Sequence, residues 1–384
     1  MFKCKKCDLV QLSKIPNLKD MYGPEYGYKT SVSNLMVKHL EKKILDLKRF
    51  DIFKDKTNIL DIGSNDGTFL NFFAKNKQNR YGLYGIDPSA SAFLDNYSEN
   101  INIIIDFFNK KTVKKNFLDN KIKFSLITSY AMFYDIEEPN DFCKDIAKLL
   151  SDNGIWSLEF SYFPLLLKNL TYDQICHEHC VYYSLDTFNK IISKNNLKIL
   201  DVNFNEINGG SIEVKCVKKN CKFKSKTEKI NSIIKQERKI GLKDFEKFNL
   251  RMENSKKNLQ LFLNNQKKEK VIGYGASTKG NVILNYSQIT NKHLSYICDA
   301  NPSKEGKYTP GSHIKIISKS KMRKLKPKYL VVLIWSFRSE VIKQEKKFLR
   351  DGGKLIFPLP VFHVVDKENY KKYLKEDLKI FSFS

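Results

Sequence analysis

The chain has 384 residues, 41% of them apolar, and a formal charge of +26 at pH 7. That length calls for two or three domains, each burying its own core. There is no apolar run on the order of eighteen residues, and the start MFKCKKCDLV lacks a signal peptide's apolar core, so neither a membrane span nor a secretory leader is expected and the reading is a soluble cytoplasmic protein.

The charge does not read as a nucleic-acid footprint. Lys far outnumbers Arg and is spread along the whole chain rather than clustered on one segment. A basic surface can still steer a doubly negative small molecule toward a site. The eight Cys are scattered, which predicts reduced thiols; Cys4 and Cys7 form the one CxxC pair.

From about residue 57, short apolar strands alternate with amphipathic stretches, the pattern of a parallel sheet covered by helices. Strands are expected at TNILDIG, YGLYGID, INIII, FSLITSY and GIWSLEF, followed by LKILDVNF and SIEVKCVK as a hairpin turned at Asn208-Gly209-Gly210. Five parallel strands closed by an antiparallel hairpin match the sheet of class I S-adenosylmethionine (SAM) methyltransferases. Residues 222–269 are Lys- and Glu-rich with helical spacing and are expected as a helical connector. A second α/β unit follows, with strands in KVIGYG, LSYICDANP, YLVVLIWS and KLIFPLP. The predicted fold class is therefore α/β, with two Rossmann-like units behind a short N-terminal piece.

ILDIGSNDGTFL places Asp61, Gly63, Asn65 and Gly67 where the first strand gives way to a helix, the place at which glycines let backbone approach a ligand. Asp87 ends the next strand, twenty residues after Gly67, where a carboxylate can accept from both ribose hydroxyls. Asp106 and Phe107 after the third strand are candidates for an adenine contact. Together these make SAM the expected cofactor. Neither Gly-rich turn of the chain is a clean GxGxxG, which argues against an NAD enzyme.

The stretch YDQICHEHCVYYS holds two of the chain's six His, with Glu178 between them. Ser184 is a plausible N-cap for the helix that follows, so the loop leaves the carboxyl edge of the sheet, where open α/β sheets bind ligands. Three readings stay open for it. His177 or His179 acts as a general base with carboxylate and Tyr partners. Cys176, His177, His179 and Cys180 hold a metal, although their spacing is tight for tetrahedral zinc. Or the His residues are hydrogen-bonded loop residues.

In order along the chain, CKKC, YGYKTSVS, DIGSNDG, YDQICHEHCVYYS, NGGSIEV, GYGASTKGNVILNY and DANPSKEGKYTPGSHI resemble the nucleotide-sugar C-methyltransferase family over nearly the whole sequence. The resemblance implies residues 1–35 as the remnant of a zinc-binding domain, 36–221 as the SAM-binding domain, 222–269 as a helical connector and 270–384 as a Rossmann-like C-terminal domain. It implies C-methylation beside the ketone of a nucleotide-linked keto-sugar, through an enolate formed by a base. On it, His179 is the base or proton relay, Glu178 orients it, His177 is a further candidate, and Tyr28 is a hydrogen-bonding contact. Tyr134, Tyr274 and Lys279 are candidates to bind the substrate, Lys279 from the turn GYGASTKG toward the diphosphate.

Three departures stand out. Cys176 takes the place of an aromatic before the HEH triplet, and SYAMFYDIEEP has Tyr134 and Asp135 where some members carry a His. Zinc would have Cys4 and Cys7 alone from a family pattern of two CxxC pairs, and a structural site needs four ligands. Two further functions stay open: O-methylation of a similar sugar, and a catalytically silent protein that binds the nucleotide-sugar for a partner enzyme. The nucleobase, the sugar and the oligomeric state are not readable.

Overall fold

In the computed structural model of the chain, which describes residues 1–23, 26–75, 80–267 and 270–376, strands form wherever β-branched and aromatic residues run between turn residues. The chain divides into two compact units. The first gathers Met1–Tyr162, His177–Asn205 and Ile212–Arg238, and the second gathers Phe163–Cys176, Glu206–Ser211 and Lys239 onward.

The first unit opens with two short strands, β1 (Phe2–Lys3) and β2 (Val10–Gln11), paired antiparallel around the CxxC turn. Its main sheet contains β3 (Asn58–Ile62), β4 (Gly82–Ile86), β5 (Ile101–Ile104), β6 (Phe124–Tyr130) and β7 (Leu150–Ser161), then, beyond the short β8 (Val181–Tyr182), β9 (Leu197–Asn205) and β10 (Ser211–Lys218). The order across this sheet is β5-β4-β3-β6-β7-β10-β9, with parallel pairing of β3 to β4 and β6, β4 to β5, and β6 to β7. β9 and β10 are joined through Asn208, Gly209 and Gly210, all at positive φ, and Lys219 N bonds Asn196 O at the far end of the hairpin. This is the class I methyltransferase sheet expected above.

Helix Asn34–Leu47 starts on Ser33, whose hydroxyl accepts from Met36 N, and buries Leu40, Ile44 and Leu47. These positions, four and three residues apart, share one face and pack with Ile59, Phe69, Leu70, Phe73 and Leu83. Each such side chain, fully buried, contributes about 1.5–3 kcal/mol.

The N-terminal strands are not a separate zinc lobe. β2 pairs antiparallel with β8, directly after the HEH triplet, and Leu12 N donates to Cys180 O at 3.0 Å. The CxxC hairpin therefore holds one end of that loop.

In the second unit, β11 (Val271–Tyr274), β12 (Tyr296–Asp299), β13 (Lys315–Ser318), β14 (Tyr329–Val332), β15 (Lys354–Phe357) and β16 (His363–Val365) form a sheet in the order β13-β12-β11-β14-β15-β16. All pairs are parallel except β15 with β16. Ile283, Leu284, Ile297, Leu330, Val331, Leu355 and Ile356 are fully buried at its core. This is the second Rossmann-like unit; its two edge strands, β13 and β16, are not among the strands expected from the sequence. The stretch read as a connector forms two helices, Thr227–Glu237 in the first unit and Leu242–Asn264 in the second. Among the described residues no helix is long and apolar enough to cross a membrane.

Candidate active site

The Gly-rich turn after β3 owes its shape to three positive φ angles, at Gly63 (73°), Asn65 (49°) and Gly67 (73°). A Cβ at Gly67 would meet the Tyr97 ring at 2.7 Å, so glycine is required there twice over. Asp61 accepts from Thr128 Oγ1 of β6 at 2.6 Å, and burial lifts its carboxyl to about 7 against that bond.

Asp87 fastens the turn to the end of β4. Its Oδ2 accepts from Asn65 N at 2.8 Å, and its Oδ1 accepts from Ser89 N at 2.7 Å and Ser89 Oγ at 2.6 Å. A ribose would have to use the remaining lone pairs of these oxygens. The second unit repeats the device: Asp299 accepts from Ala276 N through Oδ2 and from Asn301 N through Oδ1, both at 2.8 Å.

The YGYKTSVS segment is tied across the same turn. Asn65 Oδ1 accepts from Thr30 N and Thr30 Oγ1, Asn65 Nδ2 donates to Tyr28 O, and Ser31 N donates to Asp66 Oδ2, all at 2.9–3.0 Å. Tyr28 thus stands over the turn by its backbone, with its side chain 46% exposed. Asp106 is exposed, and both its oxygens are engaged within its own turn, by Phe107 N and Thr112 Oγ1; Phe107 is half-buried beside it.

A second cluster forms where β6 ends. Ala131 at φ 55° turns the chain, Met132 lies where a Cβ on Gly63 would meet it at 3.1 Å, and Tyr134 and Asp135 follow. The Tyr134 ring packs on His179 with centroids 4.1 Å apart, and His179 is only 5% exposed. Glu178 is half-buried, whereas His177 is exposed. Tyr22 donates to Asp135 Oδ2 at 2.8 Å, and the Asp135 backbone carbonyl lies 3.8 Å from Cys180 Sγ. Burial holds the Asp135 carboxyl well above the usual carboxylate range, the Tyr22 bond opposing and the Glu178 charge adding to the rise. Tyr22, 113 residues away in sequence, carries no local signal of this role.

Other expected positions are placed differently. Tyr274 is fully buried in the second unit, where its hydroxyl donates to Glu345 Oε1 at 2.9 Å; it is a core residue there rather than a surface contact. Lys279 donates to Asn208 Oδ1 at 2.5 Å, and its charge opposes the burial that lifts Asp173 to about 6. Trp335 Nε1 bonds Asp173 Oδ2 at 2.8 Å in the same unit.

Zinc does not fit the residues present. Cys4 is half-buried and Cys7 exposed, and among the described residues no three His, Cys, Asp or Glu side chains converge as a metal would require. The same observation removes the metal reading of Cys176, His177, His179 and Cys180.

Residues 36–202 match the family described as methyltransferase domain, and residues 206–360 match the C-methyltransferase C-terminal domain. The chain is 26% identical over 372 residues to the C-methyltransferase NovU of Streptomyces niveus, covering 95% of this chain and 87% of that protein. Among solved structures, the plantazolicin methyltransferase BpumL in complex with a triazolic desmethylPZN analog and SAH is 16% identical, covering 47% of this chain and 83% of that one with a TM-score of 0.37. A methyltransferase from Bacillus halodurans C-125 is 12% identical, covering 46% of this chain and 98% of that one with a TM-score of 0.36. By its sheet order and its two domain matches, the chain belongs to the class I SAM-dependent methyltransferases and carries a C-methyltransferase C-terminal domain.

Proposed function

We propose that this methyltransferase transfers the methyl group to the carbon beside the ketone of a nucleotide-linked keto-sugar. The observation that carries this reading is the buried His179, packed on Tyr134 next to Glu178, on the loop that the N-terminal hairpin holds through β8. A general base shielded from water is what removal of a weakly acidic C–H proton needs. In this reading His179 takes the proton, and Glu178 stabilises the imidazolium that results. The Asn65 amide and the Asp87 carboxylate keep the Gly-rich turn in the shape that receives the cofactor. SAM, when bound, supplies an electrophilic methyl group. The Tyr28 side chain, hydrogen-bonded to Thr30 and held over the turn by its backbone, is placed to contact a ligand bound there.

The test is incubation with SAM and a panel of nucleotide-4-keto-sugars, followed by mass spectrometry and product NMR. A gain of one methylene unit with the new methyl on carbon is expected. His179→Ala should lower the rate by about 10²–10⁴-fold while SAM still binds. A methyl on oxygen would replace this reading by O-methylation, and sugar binding without turnover by a silent binding role.

A further inference from the structure

We propose that Asp135 is a further catalytic residue of this reaction: its Oδ1 donates a hydrogen bond to the substrate oxygen that becomes the enolate, while Tyr22 fixes the carboxyl through Oδ2. The proposal rests on the keto-sugar reading above. Asp135 follows β6 on the loop whose Met132 abuts Gly63, so it stands beside the turn expected to receive the cofactor.

The argument starts from an unmatched atom. Asp135 is 7% exposed; Oδ2 accepts from Tyr22 at 2.8 Å, and Oδ1 is buried with no partner among the described residues. A charged carboxylate in that position would leave its second oxygen desolvated and bare, at a cost of several kcal/mol. Burial and the neighbouring Glu178 charge push the carboxyl well above the usual carboxylate range, which favours the neutral acid. Tyr26, Cys180 and Tyr183 also face it and bring no positive charge.

With Tyr22 donating to Oδ2, the acid proton sits on Oδ1, a donor with no acceptor among the described residues. Buried polar groups are nearly always paired, so an unpaired donor at the carboxyl edge of the sheet calls for an acceptor from a ligand. A ketone oxygen is such an acceptor, and the bond strengthens as negative charge develops on it. In the step itself the C–H bond breaks, its proton passes to His179, and its electron pair forms the carbon–carbon double bond as the oxygen becomes negative. The carbonyl then re-forms as carbon bonds to the methyl and the methyl–sulfur bond breaks. Asp135 keeps its proton throughout. Asp135 as the acid that holds the oxygen and His179 as the base that takes the proton thus divide the two roles.

Infrared difference spectroscopy and kinetics on the full chain test this. At neutral pH the wild-type protein should show the carbonyl stretch of a protonated carboxylic acid that Asp135→Asn lacks, and it should move to lower frequency when S-adenosylhomocysteine and a keto-sugar are added. Asp135→Ala should lower kcat by about 10²–10³-fold with unchanged SAM affinity. Asp135→Asn, which keeps a donor of the same shape, should lose less than about tenfold. Absence of the band, a band that substrate does not move, or equal losses in the Ala and Asn variants would each overturn the proposal. If wild-type protein methylates no member of the panel, the keto-sugar reading falls and takes this proposal with it, an outcome visible without any variant.

Discussion

Replacing Glu159 by Gln should cost the first unit about 3 kcal/mol at pH 7, and the cost should fade in acid. Glu159 is 3% exposed at the end of β7 and anchors a buried charge network. Lys43 Nζ lies 2.6 Å from its Oε2 and Asn205 Nδ2 donates to the same oxygen at 2.7 Å, while His39 Nε2 lies 2.9 Å from Oε1. Lys43 also reaches Glu213 at 3.3 Å, and Lys215 joins Glu213 at 3.0 Å to Asp46 at 2.6 Å. Burial alone would raise the Glu159 carboxyl, but the Lys43 charge and the His39 bond outweigh it and bring it down from 4.5 to about 2. A displacement of that size is worth about 3 kcal/mol, matching the loss expected when one partner of a buried pair is removed, about 3–5 kcal/mol.

Because the folded protein holds this proton more weakly than the unfolded chain does, the stabilisation is complete above about pH 4.5 and lost as pH falls toward about 2. The gap between wild type and Glu159→Gln should therefore shrink by about 1.4 kcal/mol per pH unit across that window. Urea unfolding followed by Trp156 in a Trp335→Phe background isolates the first unit, since the chain has two Trp and only Trp156 lies there. A gap below about 0.5 kcal/mol at pH 7, or one that does not change between pH 5 and pH 3, would refute the reasoning.

Gly67→Ala should both destabilise the first unit and abolish SAM binding, because the new Cβ meets the Tyr97 ring at 2.7 Å and φ is 73°. The left-handed backbone costs about 1–2 kcal/mol and the overpacking about 1–3 kcal/mol; calorimetry should show a lower Tm and no SAM heat. Tyr274→Phe should lower stability by about 1 kcal/mol without changing methyl transfer, since its hydroxyl serves Glu345 inside the second unit; a large loss in kcat would restore it to the substrate site. Cys4→Ser with Cys7→Ser should leave Tm unaffected by chelator and metal content unchanged, measured by elemental analysis, because among the described residues no third or fourth ligand stands beside them.

The sheets were legible because burial on both faces demands continuous apolar runs, and TNILDIG, FSLITSY and YLVVLIWS are such runs between turn residues. The Gly-rich turn was legible for a related reason: positive φ at Gly63 and Gly67 restricts which residues can stand there. Ser184 was readable as an N-cap, and it forms a reciprocal capping box with Thr187. These are local constraints, written where they act. Tertiary structure alone decided what sequence-distant groups do to each other. Nothing near Tyr22 says that its hydroxyl meets Asp135, nothing in the CxxC hairpin says that β2 pairs with β8, and nothing in GYG says that Tyr274 turns inward to Glu345. Asp135 could be read as an acidic loop residue, yet whether such a group is an exposed anion or a buried neutral acid depends on the dielectric and charges that packing assembles around it.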